Sequence, residues 1–321
     1  MAIPIKKFGQ YVLLTITDAA GAIVFETDTL RVDFEVFDIH RYSRCKIDIY
    51  NMIPETVRNI SNGVCFADLS VRLHDGELRP IVKDMFVSNA LQVTVLPETV
   101  ASLYCYSGIM RSTFEKPIDE YIFNPSLENI LRHLMSVAGY EGTPEFKFFP
   151  DEVLKSIPDS PTKREVGTLL DILDRLGDQY SFKTYTDFDS VVFMYIPDSK
   201  NVDQTSLFDA SADIVLDTNN MRQNPKIGPA QLQVTSNLDP LIRPTSVLDV
   251  TKLLTVASSV NEETLKVAQD FLSGQVAGFT KYQTLTVRHR GSNYTSVWET
   301  TAMATSPSSG GTTMPTTNWW L

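Results

Sequence analysis

The chain has 321 residues, room for two or three ordinary domains, and its 43% hydrophobic and 21% charged content specifies packed cores rather than disorder. A net charge of −11 argues against a protein that grips nucleic acid by neutralising phosphates, while it is compatible with an acidic wall past which DNA slides. No stretch reaches the roughly 20 apolar residues that span a bilayer, and Met1 to Lys7 has no apolar signal core behind its charges.

The first third reads as β-structure. Leu30, Val32, Phe34 and Val36 alternate with Arg31, Asp33 and Glu35, the period of two that marks a half-buried strand. Ile47 and Ile49 alternate with Lys46, Asp48 and Tyr50, and Val71 and Leu73 alternate with Arg72 and His74 before an Asp75-Gly76 turn. Leu91, Val93 and Val95 continue the pattern, as do Leu103 and Cys105 against Tyr104 and Tyr106. Pro54 to Ile60 predicts a short helix with proline in its first turn. Short strands broken by turn residues predict an antiparallel sandwich or barrel over residues 1–112.

The period then changes. Asn124 is placed to cap a helix opening at Pro125, with Leu127, Ile130, Leu131, Leu134 and Val137 on one face and Gly139 at its end. Val166, Leu169, Leu170, Leu173 and Leu176 predict a second helix that ends at Gly177. Tyr180 to Tyr185, a turn at Asp187 to Ser190 and the run Val191 to Ile196 complete an α+β unit over residues 113–200. Strands return in residues 201–304, at Ile214–Leu216, Leu232–Val234, Val247–Val250, Leu285–His289 and Ser296–Ala304. Asn261 is placed to cap a helix running to Leu272. Residues 305–321 form a Ser/Thr/Gly/Pro-rich linker ending in Trp319, Trp320 and Leu321, a candidate anchor for a partner or for the chain itself.

Chemistry is sparse. There is no GxSxG, phosphate loop or HExxH. His40, His74, His133 and His289 are scattered, and Cys45, Cys65 and Cys105 form no CxxC pair, so buried free thiols are expected, with no metal and no cofactor. Arg288-His289-Arg290 is a basic spot suited to a solvated strand end or to a lumen or partner contact. No carboxylate pair stands out as a catalytic couple.

The segment Lys46-Ile47-Asp48-Ile49-Tyr50-Asn51-Met52-Ile53-Pro54-Glu55-Thr56, followed by Val57-Arg58-Asn59-Ile60 and Gly63, resembles the opening barrel of baseplate hub proteins of contractile-tailed bacteriophages. Ser126 to Pro197 looks like that family's small inserted domain. Val287-Arg288-His289-Arg290-Gly291 with Trp298-Glu299-Thr300 resembles its closing strands, pairing His-x-Gly with a downstream Trp-x-Thr. Two positions depart from the pattern: Thr245 stands where glycine is usual, and Asn293 near where an acidic residue is usual. The resemblance implies a mainly β fold with an α+β insertion: two tail-tube-like β-barrels plus a small helix-helix-hairpin domain. It also implies a structural, non-enzymatic homotrimer in the virion tail, assembled in the host cytoplasm. Six similar barrels would join the hexameric tail tube to the trimeric central spike, beside other baseplate proteins, with DNA only passing through the channel. The alternatives are a tail-associated peptidoglycan hydrolase, which needs two carboxylates of unlike pKa in a cleft, and a receptor-binding β-protein with an exposed aromatic platform.

Overall fold

A computed structural model describes residues 10–39, 42–73, 76–95, 97–123, 126–156, 162–188, 190–195, 212–227, 231–253 and 281–305. The expected helix after Asn261, the segment with Trp319, Trp320 and Leu321, and His40 and His74 lie outside the described residues.

The first block comprises β1 (Tyr11–Asp18), β2 (Ile23–Thr27), β3 (Val32–Ile39), β4 (Tyr42–Tyr50), α1 (Pro54–Asn62), β5 (Cys65–Arg72), β6 (Leu78–Val95) and β7 (Glu98–Ser107). After a π-helical turn at Met110–Phe114 come β8 (Pro117–Phe123), α2 (Leu127–Val137), β9 (Glu145–Lys147), α3 (Asp151–Leu154), β10 (Thr162–Thr168), α4 (Leu169–Tyr180), β11 (Phe182–Asp187) and β12 (Ser190–Tyr195). The last block holds β13 (Ile214–Val215), β14 (Lys226–Ile227), β15 (Gln231–Asn237), β16 (Val247–Asp249), β17 (Lys281–Ser292) and β18 (Trp298–Thr305).

The first and last blocks share one thirteen-stranded sheet, in the order β14-β15-β18-β17-β3-β4-β7-β6-β5-β1-β2, with β16 on β17 and β13 on β16. The joint is the antiparallel ladder of β3 with β17, from Val287 opposite Asp38 to Ser292 opposite Asp33. Val12, Leu14 and Ile16 of β1 lie in the same core as Val32, Phe34 and Val36 of β3, although four strands separate β1 from β3 in the ladder. The sheet therefore curls around that core. A second core on the same sheet gathers Leu216, Leu232, Val234, Leu248, Tyr282, Val287 and Ala302. The α+β elements have their own core of Ile130, Leu131, Leu134, Leu169, Ile172, Leu173, Phe182 and Phe193. Each such side chain contributes about 1.5–3 kcal/mol by leaving water.

Most of the expected periodicities match their elements, and the exceptions have local causes. Ser126, not Asn124, caps α2 by accepting from the Asn129 N–H; Asn124 and Pro125 lie outside the described residues. Val166 sits on β10, 51% exposed. The second helix starts at Leu169 because the Thr168 hydroxyl caps it. Gly177 does not end that helix. It lies inside it because a Cβ there would come 2.6 Å from the Phe182 carbonyl oxygen, and Ser181, in the left-handed region at φ 57°, is the true stop. Leu91 and Val93 alternate as expected but are 48% and 56% exposed. The ladder of β6 with β7 slips between Val87 and Asn89, and one extra residue turns the apolar positions to the opposite face. The short parallel strand β9 beside β12 and the β8–β10 pair had no recognisable signal, being too short or too irregular in pattern.

Candidate functional site

The outward face of the large sheet is organised in rows, because side chains opposite each other in an antiparallel ladder emerge on the same side. One row crosses seven strands: Phe66, Phe86, Tyr106, Arg44, Phe37, Arg288 and Thr301. Phe66 meets Phe86 and Phe86 meets Tyr106 edge-on, with centroids 6.0 and 5.2 Å apart, and the Arg288 guanidinium lies 5.1 Å from the centre of the Phe37 ring. The adjacent row runs Asn89, Tyr104, Lys46, Glu35, Arg290 and Glu299. The next runs Leu91, Ser102, Asp48, Asp33 and Ser292.

These rows balance charge locally. Arg288 pairs with Glu35, and Arg290 reaches Glu299 at 3.5 Å and Glu35 at 3.9 Å. Asp33 and Asp48 face each other, a repulsive arrangement. Arg31 donates to Asp33 at 2.8 Å and Lys46 to Asp48 at 2.8 Å, while the hydroxyls of Ser292 and Ser102 donate to the same two carboxylates at 2.6 and 2.5 Å. Between the aromatic and ion-paired rows lies a groove of about 550 Å³, and beside it a smaller polar cleft of about 170 Å³.

Behind this face a buried polar cluster ties the closing strands to the rest. His289 Nδ1 shares a hydrogen bond with the Thr300 hydroxyl at 2.9 Å, and that oxygen also accepts from the Asp239 N–H at 2.9 Å. His289 Nε2 faces Asp38 at 3.9 Å. Arg243 donates to Asp38 at 3.3 Å and to the carbonyls of Ile81 and Pro80 at 3.2 and 3.1 Å. Gly291 lies between Phe34 and Trp298, whose rings meet edge-on at 6.1 Å. The His-x-Gly and Trp-x-Thr pair thus converge on one spot, and all four residues act in packing and hydrogen bonding.

No family model matches the chain, and no curated protein matches it. Solved structures do. A tail protein from Neisseria meningitidis MC58 aligns over 93% of this chain and 97% of its own at 9% identity, with a TM-score of 0.57. The 43 kDa tail protein of prophage MuSo2 from Shewanella oneidensis aligns over 93% and 98% at 9% identity, with a TM-score of 0.52. A type VI secretion component of E. coli, described as structurally similar to the T4 tail proteins gp27 and gp5, aligns over 97% and 79% at 12% identity, with a TM-score of 0.52. The chain has a phage tail-protein fold.

Within this tail-protein fold the sequence-derived candidates separate. The basic spot Arg288-His289-Arg290 is divided by the strand: the two arginines join the outward ion pairs, while His289 is fully buried. His133 stands apart on α2, 3.7 Å from Glu120. The three cysteines are free and buried, and burial pushes the Cys105 thiol up to about 12. Such thiols stay protonated and are poor nucleophiles. Asn293 uses both ends of its amide: Oδ1 accepts from the Val32 N–H at 2.9 Å and Nδ2 donates to the Leu30 carbonyl at 2.7 Å. A carboxylate could serve only the first, which accounts for asparagine at this turn. Sequence reasoning missed Asp38 and Arg243, which lie 205 positions apart.

Thr245 has φ 76°, a conformation that costs a β-branched residue about 1–2 kcal/mol. Its hydroxyl accepts from Lys147 at 3.1 Å, a partial compensation. Thr245→Gly is expected to leave the denaturation midpoint nearly unchanged, because relief of the strain is offset by glycine's greater freedom in the unfolded chain and by loss of the part-buried Lys147 hydrogen bond. A lowered midpoint would show that the Lys147 bond outweighs the strain.

Burial, reinforced by Arg243, holds the His289 imidazole well below its ordinary value, against a weaker opposing pull from the Ile242 backbone. The unfolded chain takes up a proton near pH 6.5 that the folded chain refuses, so stability falls as pH drops below about 6.5, by up to ~1.4 kcal/mol per pH unit. His289→Asn is expected to flatten that slope between about pH 6.5 and 5.5; an unchanged slope would assign it to other groups.

Proposed function

We propose that the chain is a structural subunit of a phage baseplate hub, a homotrimer forming a pseudo-sixfold ring that joins the hexameric tail tube to the trimeric central spike and leaves a channel for DNA. The observation that carries this reading is the extent of the tail-protein fold. It covers 93% of this chain and nearly all of two tail proteins, so the likeness embraces both sheet cores and the α+β unit. The reading takes residues 1–112 and 201–304 as two units per chain and residues 113–200 as the insertion; two separate cores on one shared sheet support it, although the first core also takes in Leu238 and Trp298. Three such chains place six units around a ring. The tight local pairing of charges on the outward face suits a surface that meets protein partners through complementary polar contacts rather than one that holds phosphates.

The test is the mass and shape of the protein expressed with the tube and spike proteins of the same phage. Three copies per complex and a six-lobed ring in electron micrographs are expected. A chain that stays monomeric and binds neither protein would refute the reading. Zymography on peptidoglycan checks the hydrolase alternative, and no clearing is expected.

A further inference from the structure

We infer that the groove on the outward face of the sheet is the docking site of the chain's own Trp319-Trp320 segment, bound in cis. The groove, of about 550 Å³, is lined by Glu35, Phe37, Arg44, Lys46, Tyr104 and Tyr106, and falls within the size range of small-ligand clefts. Tyr104 is 41% exposed in the middle of a sheet whose alternate positions are buried. Three aromatic side chains beside cationic ones suit a flat apolar ring with an edge donor, which describes an indole. An anionic ligand fits less well, because Lys46 is engaged by Asp48 and the neighbouring Arg288 by Glu35.

The chain itself carries such rings within reach. Tryptophan occurs three times; Trp298 is in the core, and the other two stand side by side at 319 and 320. From Thr305, the last residue of β18, the row containing Thr301, Arg288, Phe37, Arg44 and Tyr106 lies four residues back, about 14 Å, and four strands across, about 19 Å. The straight-line span is therefore about 24 Å. The thirteen residues between Thr305 and Trp319 span at most about 46 Å when fully extended, so the groove is within their reach.

The test uses the full chain with a photoreactive benzoylphenylalanine at position 320. Irradiation at low protein concentration is expected to give intramolecular crosslinks to peptides holding residues 35–46 or 104–106. Crosslinks to other peptides, or only between copies, would overturn docking in cis. Independently, the emission lost in the Trp319→Phe/Trp320→Phe variant is expected to be blue-shifted and severalfold less quenched by acrylamide than free tryptophan. Tyr104→Glu, at an exposed position, is expected to restore full quenching. Quenching at the free-tryptophan level in the unmodified chain, or protection that survives Tyr104→Glu, counts against the site.

Discussion

Replacing Arg243 by methionine is expected to cost about 3–5 kcal/mol of unfolding free energy. The reason is its position. Arg243 leaves the segment between β15 and β16, is 9% exposed, and reaches across to β3 at Asp38 and to β6 at Pro80 and Ile81. The Phe188 ring, at the tip of the hairpin formed by β11 and β12, packs over its guanidinium at 4.0 Å. One side chain therefore joins the last strand block to the first and to the α+β unit. Methionine keeps much of the apolar stem but leaves Asp38, 3% exposed, without its guanidinium, and takes a donor from two carbonyls. Chemical denaturation checks the size of the loss. Asp38→Asn is expected to cost less in the Arg243→Met background than alone, because the two share one interaction. A loss below about 1 kcal/mol would mean that burial of Asp38 is satisfied by other groups.

Gly291→Ala is expected to destabilise the chain by about 1–3 kcal/mol, near the upper end. A Cβ at this position would lie 2.3 Å from Phe34 Cζ, 2.5 Å from Phe34 Cε1 and 3.0 Å from Trp298 Cε3. Neither ring has room to retreat, since Phe34 is 4% and Trp298 6% exposed in the first core. The cost arises from steric overlap rather than from backbone strain. Phe34→Leu, which shortens the side chain facing the glycine, is therefore expected to rescue part of the loss. Thermal unfolding of the two single variants and the double variant gives the coupling. Strict additivity would show that the clash is relieved by backbone movement instead.

Strand periodicity was readable where a strand has one wet and one dry face, as in β3, where Val32, Phe34 and Val36 are buried between Asp33 and Glu35. It misled in β6, where a bulge moves Leu91 and Val93 outward, because a bulge is a register event set by the partner strand and leaves no mark in the period. Helix faces were readable in α2 and α4, except that Val137, expected on the buried face of α2, is 41% exposed at its last turn. Their ends were not, since Asn124 and Ser126 are both competent caps and only the course of the chain selects one. The His-x-Gly and Trp-x-Thr segments stand out as a pair in the sequence, and the register of β17 with β18 places His289 opposite Thr300 and Gly291 opposite Trp298. That they enclose Phe34 from β3 was not visible, for no local pattern links positions 34 and 291.

By itself the sequence determined the mainly β character, the helical elements between two strand blocks and the acidic balance. These follow from composition and from periods of two and 3.6, which are properties of neighbouring residues. Only the tertiary structure decided that the two strand blocks form one sheet through β3 and β17. It alone aligned an aromatic–arginine row across seven strands and brought Arg243 to Asp38. Ladder order and register are fixed by the simultaneous burial of two cores on one curled sheet, a condition that no single segment of the chain encodes.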